Sequence, residues 1–401
     1  MSNNLFLVIN IGSTSIKSRL FNGDLLVQAY INASYSDNTF ILESSDFKSH
    51  FSQSLKATYS AEKALDVVLT EWQQLLSDNV IELSAIGHRV VHGASWFDSI
   101  TLLTQDVLDR LIQLDHYAPL HNPLNRLGIT KASVFFPETP QFAVFDTAFH
   151  RHIPEYAGRY AIPEGLSPKI NFYRYGFHGI SCQHALSATA EILGCESNNL
   201  NLIVLHLGGG ASITAIEKGI SIDTSMGFSP TEGLIMAGRS GDLDPMIPIT
   251  LHTEGMSSEQ VDHLLNHNSG LQGICGESNM RNILERSTQG DKTAKLAVDM
   301  FCYRIKKYLG AYRAILGHVD ALVFTGGIGE NSAEIRHHIL AGLDKIGFLL
   351  NRRANENPMG ENRLISSASS PTDILVIYAA EEREIARQIL TFLGNNAPSL
   401  S

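Results

Sequence analysis

The chain has 401 residues, of which 44% are hydrophobic and 18% charged, an ordinary globular composition with material for more than one core; a disordered or fibrous protein is excluded. Its formal charge of −11 excludes a general nucleic-acid or anionic-membrane binder drawn in by a basic field. Cys182, Cys195, Cys275 and Cys302 show neither zinc-type spacing nor a disulfide framework, and no apolar run approaches the ~18 residues of a transmembrane helix, so a cytoplasmic protein is expected.

The start, Met1 to Ile16, lacks the basic flank of a signal peptide and reads as a first strand. Strands are predicted over Leu5 to Ile11, Ile16 to Phe21 and Leu25 to Ile31, separated by Gly-Ser-Thr and Asn-Gly-Asp turns. A helix follows from about Ala61, with Leu65, Val68, Leu69, Trp72, Leu75 and Leu76 on one face. Asp146 ends the apolar run Phe142 to Phe145, which places it at a strand's carboxyl end, where α/β proteins bind ligands; a helix-capping aspartate is the alternative. Asn201 to Leu207, then Gly208-Gly209-Gly210, then Ala211 to Ile216 repeat the opening pattern, with Val8/Val204, Asn10/His206 and Gly12/Gly208 in correspondence. A duplicated domain is implied. A long buried helix is predicted from Asp291 to Leu316 and a strand over Ala321 to Phe324, followed by Gly326, Gly327 and Gly329; the polar tail Asn395 to Ser401 should fray.

Three turns each follow a strand: Asn10 to Lys17, His206 to Ser212 and Thr325 to Ser332. Turns without bulky side chains can present successive N–H groups to phosphate, and three of them with Lys17 beside the first point to a nucleotide. None is a Walker loop or a dinucleotide fingerprint. A second group of segments is rich in polar side chains: Gly87 to Gly93, Ala118 to Pro123, Val144 to His150 and Tyr175 to Gly179. His88 and His92 read there as packing residues. Arg239 stands between Gly238 and Gly241, where its fork is uncrowded and suits bidentate capture of carboxylate or phosphate; a surface salt bridge is the alternative. Arg89 is a second isolated arginine in an acidic chain.

Together the strings LVINIGSTSIK, GHRVVHG, APLHNP, VFDTAFH, YGFHG, HLGGGAS, DTSMGFSPTEGL, GRSGDLDP, FTGGIGENS and AAEEREIA resemble those of the acetokinase family, within the sugar kinase, Hsp70 and actin superfamily. The resemblance implies an α/β, duplicated two-domain fold with an interdomain active-site cleft: residues 1–150, with a C-terminal helix 382–401 packing back on them, and a nucleotide-binding domain, 151–381. It implies a homodimer that reversibly phosphorylates acetate with ATP and Mg2+ (or Mn2+), giving acetyl phosphate and ADP. A propionate or other short-chain acyl kinase would use the same machinery, and a non-catalytic nucleotide switch would share the fold but have no need of a carboxylate clamp.

Carried over by position, Asn10 and Glu381 resemble the family's metal-associated residues, with Glu382 an adjacent alternative to Glu381. Lys17, His206, Leu207, Gly208, Gly209 and Gly210 resemble its phosphate-side loops. Asn279, Met280 and Arg281, with Gly327, Ile328, Gly329, Glu330 and Asn331, match segments that hold adenosine. Arg89, Asp146, His178 and Arg239 match the catalytic set, and Val91, Leu120 and Pro230, with Arg89, the acetate site. The chain departs from the family pattern at Gly209, Asn279, Gly238 and Ala380, where asparagine, aspartate, threonine and asparagine are usual.

Overall fold

The computed structural model describes residues 4–36, 39–45, 50–168, 170–357 and 362–395. The chain forms two compact units: Met1–Ala148 with Ala380–Ser401, and Phe149–Ala379. Glu381 therefore belongs with the first unit rather than closing the second.

The first unit is built on an eight-stranded sheet of β1 (Phe6–Ile11), β2 (Ser15–Phe21), β3 (Val27–Tyr35), β4 (Phe40–Ser45), β5 (His50–Leu55), β6 (Ala85–Val90), β7 (Thr101–Leu102) and β8 (Gln141–Phe145). Their spatial order is β5-β4-β3-β2-β1-β6-β8-β7. The first five strands are an antiparallel meander, and β6 and β8 then add in parallel beside β1. Parallel addition requires crossovers, and the helices Ala61–Asp78 and Asn122–Phe135 supply them. The first of these is capped by Ser60, whose side chain accepts from Lys63 N–H, and it buries Leu65, Val68, Leu69, Trp72 and Leu76. Trp72 Nε1 donates to Ser18 Oγ at 2.7 Å, which satisfies the one polar atom this face brings into the core.

The second unit has a six-stranded sheet of β9 (Leu202–Leu207), β10 (Ala211–Glu217), β11 (Ile220–Thr224), β12 (Ala321–Thr325), β13 (Arg363–Leu364) and β14 (Asp373–Val376), in the order β11-β10-β9-β12-β14-β13. Here too an antiparallel meander is followed by two parallel additions and a short antiparallel edge strand. The run β3-β2-β1-β6-β8-β7 thus has the topology of β11-β10-β9-β12-β14-β13, which makes the fold a duplication. The predicted long helix is Lys292–Leu316, capped by Asp291, with Val298, Phe301, Ile305, Leu309 and Tyr312 buried.

Two expectations are corrected. Thr325 to Ser332 is not an open turn: Gly326–Asn331 is a short helix entered through Gly326 at φ +77°, where a Cβ would come within 2.7 Å of the Leu207 carbonyl oxygen. Only glycine allows that approach. The terminal helix runs Glu381–Asn395, so Asn395 is helical, and the rest of the tail lies outside the described residues.

Candidate active site

In the first unit the carboxyl ends of three adjacent strands assemble one polar cluster. Asn10 is next to last in β1, Arg89 next to last in β6, and Asp146 directly follows β8, its N–H donating to the Val90 carbonyl. Asp146 is buried and accepts from Arg89 Nε at 3.2 Å and from Nη2 at 2.6 Å. Arg89 also pairs with Glu381 at 3.2 Å, while its Nη1 donates to Asn10 Oδ1 at 3.4 Å. The Asn10 amide nitrogen in turn donates to Glu382 at 3.1 Å and to Glu381 at 3.3 Å. Arg19 lies 3.7 Å from Glu382.

Arg89 is therefore not isolated. Burial opposes its charge, but Asp146, Glu381 and Glu382 outweigh burial and raise its pKa. Burial pushes the Asp146 carboxyl above the usual range, and the guanidinium opposes this. Glu381 and Glu382 both face Asn10 because both lie in the first turn of the terminal helix, where the dipole favours carboxylates. Lys17 is exposed on β2 rather than part of the loop; it lies opposite Asn10 in register, and the turn itself is closed by Gly12 N–H donating to the Ser15 carbonyl.

The residues expected to form the apolar pocket differ in burial. Val91 is buried but lies beyond the end of β6, so strand alternation does not set its direction; Asn125 Oδ1 holds its N–H at 3.0 Å. Leu120 is 48% exposed. His88 and His92 are buried packing residues: His88 bonds Gln141 at 2.7 Å, and His92 Nδ1 accepts from Ala94 N–H.

In the second unit a further cluster surrounds the turn between β9 and β10. His178 heads the helix Gly179–Leu193 in a left-handed conformation, φ 58°. Its Nδ1 bonds Ser212 Oγ at 2.9 Å, and its ring stacks on His206 with centroids 4.1 Å apart. His206 Nδ1 bonds Ser181 Oγ at 2.8 Å. A Cβ on Gly210 would lie 3.2 Å from His178 Nε2, a tight contact, and 3.8 Å from Arg239 Nη1, an ordinary one, so both side chains stand beside the turn and the glycine eases the approach of the His178 ring. Arg239 Nη1 donates to the Pro230 carbonyl at 3.4 Å, which puts the Pro230 backbone beside the guanidinium. Burial lowers the Arg239 pKa, and among the described residues no carboxylate pairs with it. A desolvated guanidinium beside a glycine turn is a site for an anion.

A cavity of about 720 Å3 opens in the same unit, lined by residues from four segments: Gly208 and Gly209; Ala237; Ser278, Asn279, Met280, Arg281 and Leu284; Gly327, Ile328, Asn331 and Ser332. Asn279 caps the helix Met280–Thr288 by accepting from Arg281 N–H. Several of the expected nucleotide residues do not line this cavity. His206 and Leu207 alternate across β9, so Leu207 points into the core. Gly329 is buried, and Glu330 Oε1 accepts from Ala379 N–H. Gly210 serves the histidine and arginine cluster instead. Ser181, Ala237, Ser278 and Leu284 were not anticipated; Ser212 and Ser332 were named only as the ends of predicted turns, and the pairing of β9 with β10 sets Ser212 opposite His206.

A model described as the acetokinase family matches residues 5–387. The acetate kinase of Sulfurovum sp. (strain NBC37-1) is 44% identical over 386 residues, covering 95% of this chain and 97% of that protein. The crystal structure of a propionate kinase from Francisella tularensis has TM-score 0.88 and 38% identity, covering 96% of this chain and 98% of that one. Porphyromonas gingivalis acetate kinase has TM-score 0.86 and 34% identity, with 97% and 100% covered. With its duplicated sheets, its strand-end arginine cluster and a match over nearly its whole length, the chain belongs to the acetokinase family.

Proposed function

We propose that this phosphotransferase reversibly transfers the γ-phosphoryl group of ATP to acetate, giving acetyl phosphate and ADP. The observation that carries this reading is Arg239, a desolvated guanidinium without an acidic partner among the described residues, set beside His178 and the Gly210 turn. A protein that only switched with nucleotide would have no need for it. Acetate is ionised near neutral pH, so it needs no base to become a nucleophile; what must be overcome is repulsion between two anions and charge spreading over the phosphoryl oxygens. Arg89, aligned by Asp146, orients the acetate carboxylate. Arg239 and His178 stabilise the phosphoryl group in transit by preorganised hydrogen bonds. Transfer is direct, which inversion at a chiral phosphorus would support.

The cavity of about 720 Å3 suits an adenosine, with Asn279 to Arg281 on one side and Gly327, Ile328 and Asn331 on the other. The phosphates extend along Gly208 to Gly210, and Lys17 serves the phosphate side. Acetokinases use a divalent cation with ATP, and the first unit's cluster fits one: Asn10 Oδ1, Glu381 and Asp146 are hard oxygen donors, and three carboxylates there face two guanidinium groups. We assign Asn10 and Glu381 as its ligands; an all-oxygen set with one or two protein carboxylates beside substrate phosphates suits Mg2+, and Mn2+ equally. When bound, it neutralises phosphate charge. For the methyl group we propose Val91 and Leu120 in the first unit and Pro230 in the second.

Propionate is the second acceptor to consider, because a propionate kinase is 38% identical at TM-score 0.88. Hydroxamate assays with acetate, propionate and butyrate, each with ATP and GTP, decide between them: acetate with ATP should give the highest kcat/KM, and absence of any acyl phosphate overturns the reading. We also propose a cytoplasmic homodimer. The four free cysteines support a reducing compartment, and Met246, Ile247 and Ile249, exposed on the helix Met246–Thr253, support self-association. Light scattering on the purified protein should give twice the chain mass. Among the described residues no helix is long and apolar enough to cross a membrane.

A further inference from the structure

His150 closes the segment Val144 to His150 but takes no part in the chemistry above. It is 1% exposed, in the second unit, and its two ring nitrogens have different partners. Nε2 lies 3.0 Å from the carbonyl oxygen of Phe177, and Nδ1 lies 2.8 Å from Ser221 Oγ. A carbonyl can only accept, so Nε2 carries the proton and Nδ1 accepts from the Ser221 hydroxyl. Phe177 immediately precedes His178, whose φ of 58° is a conformation that a non-glycine residue holds only when its surroundings impose it. One residue further back, Gly176 has φ +74°, and a Cβ there would come within 2.6 Å of the His150 ring. The imidazole thus packs on the backbone of Gly176 and bonds the peptide group that joins Phe177 to His178.

We infer that His150 is a positioning residue that holds the peptide before His178, and so keeps the His178 ring aimed at the transferring phosphoryl group. The inference rests on the role given to His178 above. Burial lowers the His150 pKa to about 4, so the ring stays neutral through the physiological range and the Nε2–H bond persists. Two substitutions separate its two bonds. His150→Gln places an amide nitrogen where Nε2 stands and retains a donor for Phe177; His150→Asn reaches only as far as Nδ1 and loses it.

The test is a kinetic cycle at pH 7.5. His150→Asn should lower kcat at least tenfold with KM for ATP and acetate within twofold, whereas His150→Gln should stay within about threefold of the parent kcat. In a His178→Ala background, His150→Asn should lower kcat by less than twofold further, because the group it positions is gone. Full multiplication of the two effects overturns the inference. A His178→Ala variant with parental kcat overturns the role of His178 itself, and the positioning role with it. Nitrogen-15 NMR of histidine-labelled parent protein needs no variant to fold: His150 should show the Nε2–H tautomer from pH 8 to 5, and an Nδ1–H tautomer overturns the assignment.

Discussion

Arg239 and Arg89 have different neighbours, and the different roles proposed for them follow from that. Arg89 is matched by Asp146 and Glu381, so its fork is aligned before substrate arrives; Arg239 has no such partner among the described residues, and its field is available to developing charge. Arg239→Ala should therefore lower kcat by ~100-fold or more with little change in KM for ATP, since a group that acts on the transition state leaves ground-state binding intact. Steady-state kinetics with the Tm as control checks this, and a folded variant with near-parental kcat refutes the clamp. Asp146→Asn tests the other arginine. An amide retains one oxygen acceptor for Arg89 but no charge, so turnover should fall yet remain measurable across pH 6 to 9. If Asp146 were an obligatory base, no transfer above background would survive at any pH in a variant that still binds nucleotide.

At the scale of elements, the site depends on how closely the terminal helix Glu381–Asn395 can approach β6. Gly87 makes that approach possible: a Cβ there would meet Ile385 Cγ2 at 2.6 Å and Ile389 Cδ1 at 2.7 Å. The helix carries Glu381 and Glu382 in its first turn, so packing on one face and polar geometry at one end are mechanically linked. Gly87→Ala should cost about 1–3 kcal/mol through overpacking and raise the divalent-cation concentration needed for half-maximal rate. Gly394→Ala, in the same helix with nothing within 4 Å of the added Cβ, should raise stability by up to about 1 kcal/mol through helix propensity and leave that cation concentration unchanged. Melting curves and metal titrations on both variants provide the check, and equal behaviour of the two would remove the link.

Across the whole molecule, three buried histidines make stability depend on pH. Burial holds His88 and His150 at about 4 and His92 at about 3, below the value near 6.5 of the unfolded chain. Their folded forms bind fewer protons than the unfolded chain, so stability is fully present above pH 6.5 and is lost as pH falls from there towards 4. Each should remove ~2 kcal/mol by pH 5. Urea unfolding at pH 7.5 and 5 measures the difference, and equal stability at both would contradict the assignment. Much of this protein was legible along the chain. The meander, the helix faces and the repeat of β1-β2 in β9-β10 follow from apolar periodicity and turn residues, which act over a few positions; Asp146 was legible because an apolar run ends on it. Other features depend on residues far apart in sequence, and periodicity carries no information about them. Arg89 looked isolated because Asp146 and Glu381, its partners, stand 57 and 292 positions away. Gly326–Asn331 looked like an open turn because the contact that selects its first glycine comes from Leu207, on a neighbouring strand. Local pattern decides which segments become strands and helices; packing between distant segments decides which charges are neutralised and which are not.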